Sequence, residues 1–407
     1  MTMAPFKQTA LVIVLSAAYA HAGAQTVAPT QLPTGGKVVA GQATVQQSGS
    51  TLNINQSSAR AAVDWSTFNV GKDAQVNFNQ PSSSAVTLNR VLDTNASQIM
   101  GRINAPGQVF LVNPNGVLFG PGSQVDVGGL IASTQNISNA DFMAGKSTFD
   151  GNGRSDVSVV NQGQLQAKLG GYIALLAPSV RNEGVIIAQE GTVALAAGDK
   201  SVVEFSGGTR MVSVLVDRAI MDALVDNRQV IRADGGLVVL SARSANAILS
   251  SVITQSGTVQ ANTVVNKNGR IVIEGGDQGV VQVSGTVQAA GVDANTQGGN
   301  VVVTGDKVQI ASGAKLDASG QAGGGSVLVG GGWQGQDPSI RQANAVVVES
   351  GARLDASAIE QGNGGTVVAW SNTSNANGVT RVAGELLARG GANGGDVDGV
   401  PQRQHQR

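Results

Sequence analysis

The chain has 407 residues, and its 26 Lys and Arg against 27 Asp and Glu give a net charge of −1. Because an electrostatic nucleic-acid footprint needs a basic stripe, this balance excludes a nucleic-acid partner. The sequence has no cysteine, so zinc ligation and cysteine catalysis have no support, and 56 glycines interleaved with 41% hydrophobic residues favour many short strands joined by tight turns.

Residues 1–24 are predicted to be a secretory signal peptide. Lys7 supplies a short positive region, residues 10–20 are apolar, and small residues allow cleavage after Ala22 or Ala24. The apolar run is too short to span a bilayer as a helix of the mature protein. The alternative is a disordered apolar start. We expect the mature protein to be exported and soluble.

Residues 109–134 contain an Asn-Pro-Asn-Gly turn between two apolar, strand-like runs. Asn113 and Asn115 can bond back to their own backbone. Pro114 fixes φ, and Gly116 accepts a left-handed conformation. Val, Leu and Phe on both sides would supply a pleated, buried surface. A hairpin alone would explain this turn, but not the features that follow.

The segment Val214–Asp226 breaks the strand pattern. Val216, Ile220 and Leu224 fall near one face of a helix, with most of the charged residues elsewhere. We predict a short helix laid on the rod, where it would cover an exposed sheet surface. A membrane-binding amphipathic helix is the alternative.

Alternating strands and approximate repeats dominate the second half of the chain. Residues 256–261 recur at 284–289, residues 313–319 recur at 351–357, and Asn161-Gln-Gly is echoed by Asn182-Glu-Gly after 21 residues. Such irregular periods indicate a solenoid whose coils differ in turn length. A β-sandwich is the competing architecture, although its strands do not usually echo at these spacings. Period-two strands are predicted at Ser201–Phe205, Gly269–Glu274, Gln278–Ser284 and Asn300–Thr304.

No catalytic, cofactor-binding or metal site is predicted. Asp317 and Asp355 hold equivalent places in a repeat, which favours a turn or corner role over a unique catalytic acid. Asp126, Asp150 and Asp156 show no recognisable spacing. The histidines, His21 and His405, lie in the signal and the tail. The glycine-rich stretch with Asp396 and Asp398 occurs once and is interpreted as a loop, because calcium-binding repeats need stacked copies.

Aromatic residues and the C-terminal end give little guidance to a ligand. Trp65, Trp333 and Trp370 are scattered in the sequence and are interpreted as packing or loop anchors. Strand and glycine patterning continues to residue 396. Residues 397–407 then lose it, which we interpret as the unstructured end of a truncated or frame-shifted chain, with an ordinary frayed terminus as the alternative.

The stretch Asn113–Gly120 resembles the signature of the N-terminal secretion domain of the filamentous haemagglutinin family. A second Asn-Pro-Asn-Leu motif of some family members is missing. The resemblance continues through further blocks at Asn53–Asn55, Val63–Gly71, Phe78–Val86, Gly128–Thr134, Asp141–Gly145, Gly170–Ala177 and Gly191–Asp199.

The resemblance implies an all-β fold, a right-handed parallel β-helix. We expect the short helix predicted at Val214–Asp226 to be an insertion in this fold. The resemblance implies a secretion domain at 25–250, and we expect a repetitive β-helix extension at 251–396. It also implies two-partner secretion: the chain reaches the periplasm and is recognised there by the periplasmic domains of an outer-membrane β-barrel transporter. It then crosses unfolded and folds outside. The absence of cysteine agrees, since disulfide-closed loops would block a narrow pore.

The expected function is that of an exported, non-enzymatic exoprotein, a surface adhesin or its secretion domain. It would be secreted or held on the cell surface, where its receptor would be a host or cell-surface glycan or protein. Asn113, Pro114, Asn115 and Gly116 are the predicted secretion motif. The alternative is a structural or carbohydrate-binding rod exported by another route. A self-transporting protein is disfavoured, because nothing after Gly390 alternates like a barrel strand.

Overall fold

A computed structural model describes residues 27–246, 250–265 and 267–395. The signal predicted at 1–24 and the tail predicted at 397–407 lie outside these residues. Within the described ranges, no helix is long and apolar enough to cross a membrane.

Short strands make up most of the described chain. The strands before residue 200 are β1 Lys37–Ala40, β2 Ala43–Ser48, β3 Thr51–Gln56, β4 Arg60–Trp65, β5 Gln75–Asn79, β6 Val86–Val91, β7 Ser97–Ile99, β8 Arg102–Asn104, β9 Gln108–Val112, β10 Val117–Phe119, β11 Gln124–Ser133, β12 Thr148–Asp150, β13 Ser158–Asn161, β14 Gln164–Ala177, β15 Ser179–Asn182, β16 Val185–Ile187 and β17 Thr192–Ala197. The later strands are β18 Lys200–Ser206, β19 Arg210–Arg218, β20 Leu224–Asn227, β21 Val230–Arg232, β22 Leu237–Ala242, β23 Ser251–Gln255, β24 Thr258–Gln260, β25 Arg270–Glu274, β26 Val280–Val283, β27 Thr286–Gln288, β28 Asn300–Thr304, β29 Lys307–Ile310, β30 Lys315–Asp317, β31 Ser326–Val329, β32 Ala345–Val348, β33 Arg353–Asp355, β34 Thr366–Ala369, β35 Val379–Val382 and β36 Glu385–Leu387. A helix, α1, spans Asn139–Met143, and a 3₁₀ turn spans Trp333–Gly335.

These strands wind into a parallel β-helix, as predicted. Strands of the solenoid pair in parallel with the strand one coil later, for example β21 with β24, β24 with β27 and β27 with β30. Among the described residues the pairing forms a 23-stranded sheet and a ten-stranded sheet. The parallel ladders continue across the predicted domain boundary at residue 250, because β23 pairs with both β20 and β26.

The sequence repeats are the rungs of these ladders. Thr258–Gln260 pair residue by residue with Thr286–Gln288, and Lys315–Asp317 pair with Arg353–Asp355. Asn161 lies beside Asn182 in the same way. One sequence repeat therefore equals one coil, and coil length varies because the turns vary.

The core consists of apolar columns that run along the axis. Ile271 pairs with Val301, which pairs with Val327 and then with Val367, and all four side chains are buried. Burying a side chain of this size contributes about 1.5–3 kcal/mol, provided that the coils above and below cover it. Each coil is therefore stable only on its neighbours.

One column changes from apolar to amide side chains for four rungs. Asn161 donates to Asn182 Oδ1 (2.8 Å), Asn182 to Asn227 Oδ1 (2.7 Å) and Asn227 to Gln255 Oε1 (2.6 Å). All four are fully buried, and the next residue in the column is Val283. Since an out-of-register coil would leave these amides unpaired, this amide ladder favours one stacking register.

The N-terminal end departs from parallel pairing. Strand β1 pairs antiparallel with β4, and β2 pairs antiparallel with β3. Val38, Ala43 and Val45 pack, half-buried, against the end of the core. These strands cover the first parallel coil, which would otherwise present an open edge.

A separate layer lies outside the solenoid and encloses a second hydrophobic core. It comprises α1 and a three-stranded antiparallel sheet in which β18 lies between β12 and β19. Ser138 caps α1 by accepting the Asp141 N–H (3.0 Å). The large buried side chains of this core are Phe110, Phe142, Phe149, Tyr172, Met211, Val214 and Val216.

The helix predicted at Val214–Asp226 is wrong. Residues up to Arg218 form β19, which pairs with β18, and Leu224–Asn227 form β20 in the ten-stranded sheet. The physical reason is that Met211, Val214 and Val216 of β19 are buried in the outer core, with a register shift opposite Glu204 and Phe205, and β-branched Val suits a strand. The helical insertion lies instead at α1. The strands predicted at 201–205, 269–274, 278–284 and 300–304 are present as β18, β25, β26 and β28, although β18 is antiparallel and outside the solenoid.

Candidate functional site: the Asn113–Gly116 corner

The turn of residues 113–116, here called the corner, joins two different sheets rather than two strands of a hairpin. It connects β9 of the large sheet to β10 of the ten-stranded sheet. The Gly116 N–H donates to the Asn113 carbonyl (3.0 Å), which closes a tight turn. The Asn115 N–H donates to Asn113 Oδ1 (2.9 Å), the bond expected of an Asx turn.

Asn113 is the buried anchor of the corner. Its side chain is fully buried, and its Nδ2 donates to the Asn95 carbonyl and to Ser97 Oγ, both at 3.0 Å. Its backbone N–H donates to the Ser133 carbonyl (2.9 Å). One side chain therefore holds the corner to the preceding coil, while its backbone holds it to the following one.

Gly116 allows the next coil to approach closely. Its φ is +115°, a region that L side chains rarely adopt, and a Cβ there would lie 3.0 Å from the Ser158 carbonyl oxygen. Its own carbonyl accepts the Ser97 N–H (3.0 Å). Gly116 is thus enclosed between the turns of the coils before and after it.

Asn115 connects the corner to its neighbours through its half-buried side chain. Its Nδ2 donates to the Asp93 carbonyl (2.7 Å), and its Oδ1 accepts from Arg154 Nη1 (2.7 Å). Arg154 also holds Asp156 with two hydrogen bonds of 3.0 and 2.8 Å. This pair raises the pKa of Arg154 and lowers the pKa of Asp156, so both stay charged beside the corner.

The loop that carries Arg154 leads to the outer layer. Gly151 N donates to the Asp199 carbonyl (2.6 Å), and Gly153 N donates to Asp199 Oδ1 (3.0 Å). Arg218 donates to Asp199 Oδ2 (2.6 Å) and pairs with Asp150. A chain of polar contacts therefore joins the corner to the three-stranded sheet.

Polar contacts at Arg60 and Gln108 fix the outer layer on the solenoid, and Gln108 Nε2 donates to the Gly208 carbonyl between β18 and β19 (3.2 Å). Arg60 lies over the Phe142 ring (5.2 Å from its centroid) and donates to the Phe142 carbonyl (3.0 Å), and burial lowers the pKa of Arg60. The Tyr172 hydroxyl donates to Gln108 Oε1 (2.5 Å), and burial raises the pKa of Tyr172 well above its ordinary value. A side chain at Gly129 would collide with the Tyr172 ring, since a Cβ would lie 2.5 Å from it.

The predicted site residues Asn113, Pro114, Asn115 and Gly116 thus lie in one turn, where Asn113 and Gly116 are buried and Pro114 and Asn115 are half-buried. Sequence reasoning missed their partners Asp93, Arg154 and Asp199. Asp93 and Arg154 lie 22 and 39 residues from Asn115, and Asp199 lies 46 residues from Gly153 in the loop that carries Arg154. No periodicity marks these contacts.

The aspartates considered in the sequence take part in turns and ion pairs. Asp317 Oδ1 accepts the Ser319 N–H (2.8 Å) and Asp355 Oδ1 accepts the Ser357 N–H (2.9 Å), which confirms that this repeated Asp is a corner residue. Among the described residues, no group of three or more His, Cys, Asp or Glu could hold a metal ion. Asp126, Asp150 and Asp156 do not meet: each pairs with a different base, namely Lys168, Arg218 and Arg154.

The tryptophans are less scattered in space than in sequence. Trp65 is buried edge-on against Phe68, with ring centroids 5.4 Å apart, and is a packing residue as interpreted. Trp333 and Trp370, however, lie together, with centroids 6.0 Å apart. Adjacent coils place their loops side by side, so these two tryptophans form a pair although they are 37 residues apart in the sequence.

Known proteins resemble this chain in sequence and in fold. Residues 24–291 match the TPS secretion domain family. A heme/hemopexin-binding protein of Haemophilus influenzae strain Rd is 32% identical over 265 residues, which cover 63% of this chain and 29% of that protein. A second Haemophilus influenzae heme/hemopexin-binding protein is 30% identical over 274 residues, covering 62% and 29%. The chain thus spans less than a third of the length of these relatives.

A solved structure extends the likeness beyond sequence. The crystal structure of the HMW1 secretion domain from Haemophilus influenzae superposes with a TM-score of 0.74 at 27% identity. The superposition covers 90% of this chain and 100% of that one.

Proposed function

This chain belongs to the TPS secretion domain family, and on that premise we propose that its secretion domain is recognised by an outer-membrane β-barrel transporter with periplasmic recognition domains. In this proposal residues 1–24 direct the chain to the periplasm and are removed. The domain at 25–250 is then bound by the transporter, and the extension at 251–396 follows it out.

The observation that carries this proposal is the corner, placed inside the family match and hydrogen-bonded to turns on both sides. We assign two tasks to its four residues. Asn113 and Gly116 are buried and assemble the turn, while Pro114 and Asn115 are half-buried and present it beside Arg154 and Asp156. Recognition would thus read a surface that the buried pair keeps in shape.

The β-helix also supports a folding-driven export. A chain that crosses the membrane unfolded can add one coil at a time to the coils already outside. Each addition buries an apolar column against its neighbour, which opposes return through the pore. No disulfide has to form or break, because the sequence has no cysteine.

Once outside, the protein acts as a surface adhesin or as its secretion domain, secreted or retained at the cell surface, and without enzymatic activity. Its receptor would be a cell-surface glycan or protein. The second candidate function is a structural or carbohydrate-binding rod exported by another route. The second candidate is supported by Trp333, an exposed aromatic side chain that lies beside Trp370.

Transporter dependence separates the two. The full chain, including residues 1–24, is expressed with and without an outer-membrane barrel that carries periplasmic recognition domains, and the protein in the medium is measured. We expect the chain in the medium only with the transporter and in the periplasm without it. Equal export in both strains would leave only the second candidate.

A further inference from the structure

A long insertion marks one corner of the extension. The coil that begins at Lys307 is longer than the coil before it. Val280, the first residue of β26, pairs with Lys307, the first residue of β29, and Lys307 pairs in turn with Ala345. The extra length forms an outer loop, residues 330–344, and residues 371–378 form a second loop one coil later.

These two loops are joined to each other. Asn372 N donates to the Ala343 carbonyl (2.8 Å), and Asn375 Nδ2 donates to Asn344 Oδ1 (2.6 Å). Trp333 lies in the first loop, and Trp370 directly precedes the second, so the hydrogen bonds fix the two indoles in one place.

The two indole rings are tilted by 44° and are exposed unequally. Trp333 leaves 42% of its surface in water. Trp370 is half-buried, and its Nε1–H is buried without a protein acceptor. A buried indole N–H normally finds an acceptor, so this donor and the open ring beside it are both unused by the fold.

The loop is held in an unfavourable backbone shape. Gln334 has a φ of +51° inside the turn that carries Trp333. Gly330 has a φ of +82°, and a Cβ there would lie 2.4 Å from the Trp370 carbonyl oxygen. Such conformations persist only where the surroundings over-determine them, and they concentrate at functional sites.

Contacts from the loop's C-terminal half supply that support. Gln342 Nε2 donates to the Gly335 carbonyl (3.2 Å), and Thr304 Oγ1 donates to the Arg341 carbonyl (2.6 Å). Arg341 is the only basic residue of the loop, and it pairs with Glu274 (3.5 Å) and Asp277.

The charges of the loop select against an anionic ligand. The single cation, Arg341, already faces two carboxylates. Asp337 accepts hydrogen bonds from Ser339 N (2.9 Å) and Ser339 Oγ (2.6 Å), which lower its pKa and keep it negative. Gln334 and Gln336 are also exposed, and because Gln336 Nε2 donates to Gln334 Oε1 (3.0 Å), Gln334 Nε2 and Gln336 Oε1 face a ligand as donor and acceptor. An indole face bordered by amides and one carboxylate suits a neutral ligand rich in hydroxyl groups.

The size of the surface points the same way. An aromatic side chain buries about 150–250 Å² at most, and Trp333 exposes less than half of its surface. A stable protein partner needs about 800 Å² on each side. One indole face instead matches the apolar face of a single sugar ring.

We propose that Trp333, Trp370 and the amides of Gln334 and Gln336 form a binding site for a neutral hexopyranose of a glycan. The sugar ring stacks on Trp333, which the Trp370 ring supports, and its hydroxyls bond to the amides of Gln334 and Gln336. The site lies outside residues 24–291, so it operates whether or not export depends on the transporter.

The test uses the exported full chain against immobilised oligosaccharides that end in neutral hexoses and against the same glycans capped with sialic acid. Binding to neutral glycans should fall about tenfold or more in Trp333→Ala, because truncating a central aromatic anchor removes most of the contact. Trp370→Phe, which keeps a ring against Trp333, should weaken binding less. Ile359→Ala, a control at another exposed apolar residue, should bind as the wild type does.

Thermal unfolding and secretion of all variants should match the wild type, which separates lost binding from lost folding. Unchanged neutral-glycan binding by Trp333→Ala would overturn the proposal. Binding to sialic-acid-capped glycans alone, or to no glycan, would do the same. A dimer of the wild type that Trp333→Ala dissolves would show that a second copy occupies the surface instead.

Discussion

Asn115 Oδ1 accepts a 2.7 Å hydrogen bond from Nη1 of Arg154, a residue 39 positions later in the chain. This bond joins the corner to the loop that Asp199 and Arg218 anchor to the outer layer. The Asn115 side chain therefore has all its hydrogen-bond partners only after the outer layer has folded.

Asn113→Ala should lower the free energy of unfolding by about 1–3 kcal/mol, because it leaves the Asn95 carbonyl and the Asn115 N–H without their partner. Urea denaturation followed by circular dichroism measures the change. The matched control is Asn377→Ala at an exposed position, which should unfold at the wild-type urea concentration. Equal midpoints for both variants would show that Asn113 does not anchor the corner.

Gly116→Ala should lower the free energy of unfolding by about 1–3 kcal/mol, since alanine must adopt a φ of +115°. The control is Gly122→Ala, where φ is +81° but nothing lies within 4 Å of the added Cβ. Urea denaturation of both separates backbone strain from the contact with the Ser158 carbonyl. A larger loss for Gly122→Ala would contradict the close approach at Gly116.

The amide ladder predicts strong non-additivity. Asn182→Val alone leaves a buried donor on Asn161 and a buried acceptor on Asn227 unpaired, and each costs about 1–3 kcal/mol. Replacing Asn161, Asn182, Asn227 and Gln255 together by Val should cost less free energy of unfolding than the four single replacements added together, because the column would then match Val283 below it. Denaturation midpoints that fall in proportion to the number of substitutions would contradict this.

Tyr172 should resist ionisation in the folded protein. Its folded-state pKa is raised by burial, so its neutral form stabilises the fold below the unfolded-state pKa of about 10, and that stability is lost as the pH rises further. The other tyrosine, Tyr19, lies in the predicted signal, so the chain without residues 1–24 reports Tyr172 alone. Absorbance at 295 nm should rise only when alkali unfolds the protein. A reversible titration near pH 10 in the folded state would show that Tyr172 is accessible.

Much of the solenoid could be predicted because repetition is visible along the chain. The copies at Thr258–Gln260 and Thr286–Gln288 are one coil apart, so residues that match in the sequence repeat lie beside each other in adjacent strands. The same reasoning assigned Asp317 and Asp355 to a corner. Local turn chemistry likewise gave the Asn113–Gly116 turn, since Asn, Pro and Gly act on their own backbone.

What could not be predicted depends on contacts between residues with no common period. Val216, Ile220 and Leu224 fit a helical spacing, which predicts a helix at Val214–Asp226. The structure of Val214–Arg218 is decided instead by the pairing of β19 with β18 in a hairpin. Arg154 has no periodic relation to Asn115. Only the folded coils bring such pairs together.

The most direct test compares secretion of two variants with similar losses of stability. Asn115→Ala with Gly116→Ala alters the corner, and Asn182→Val alters the buried ladder away from it. With the transporter present, the corner variant should remain in the periplasm, although it refolds after purification, and the ladder variant should reach the medium. Secretion of both variants, or retention of both, would contradict recognition of the corner by the transporter.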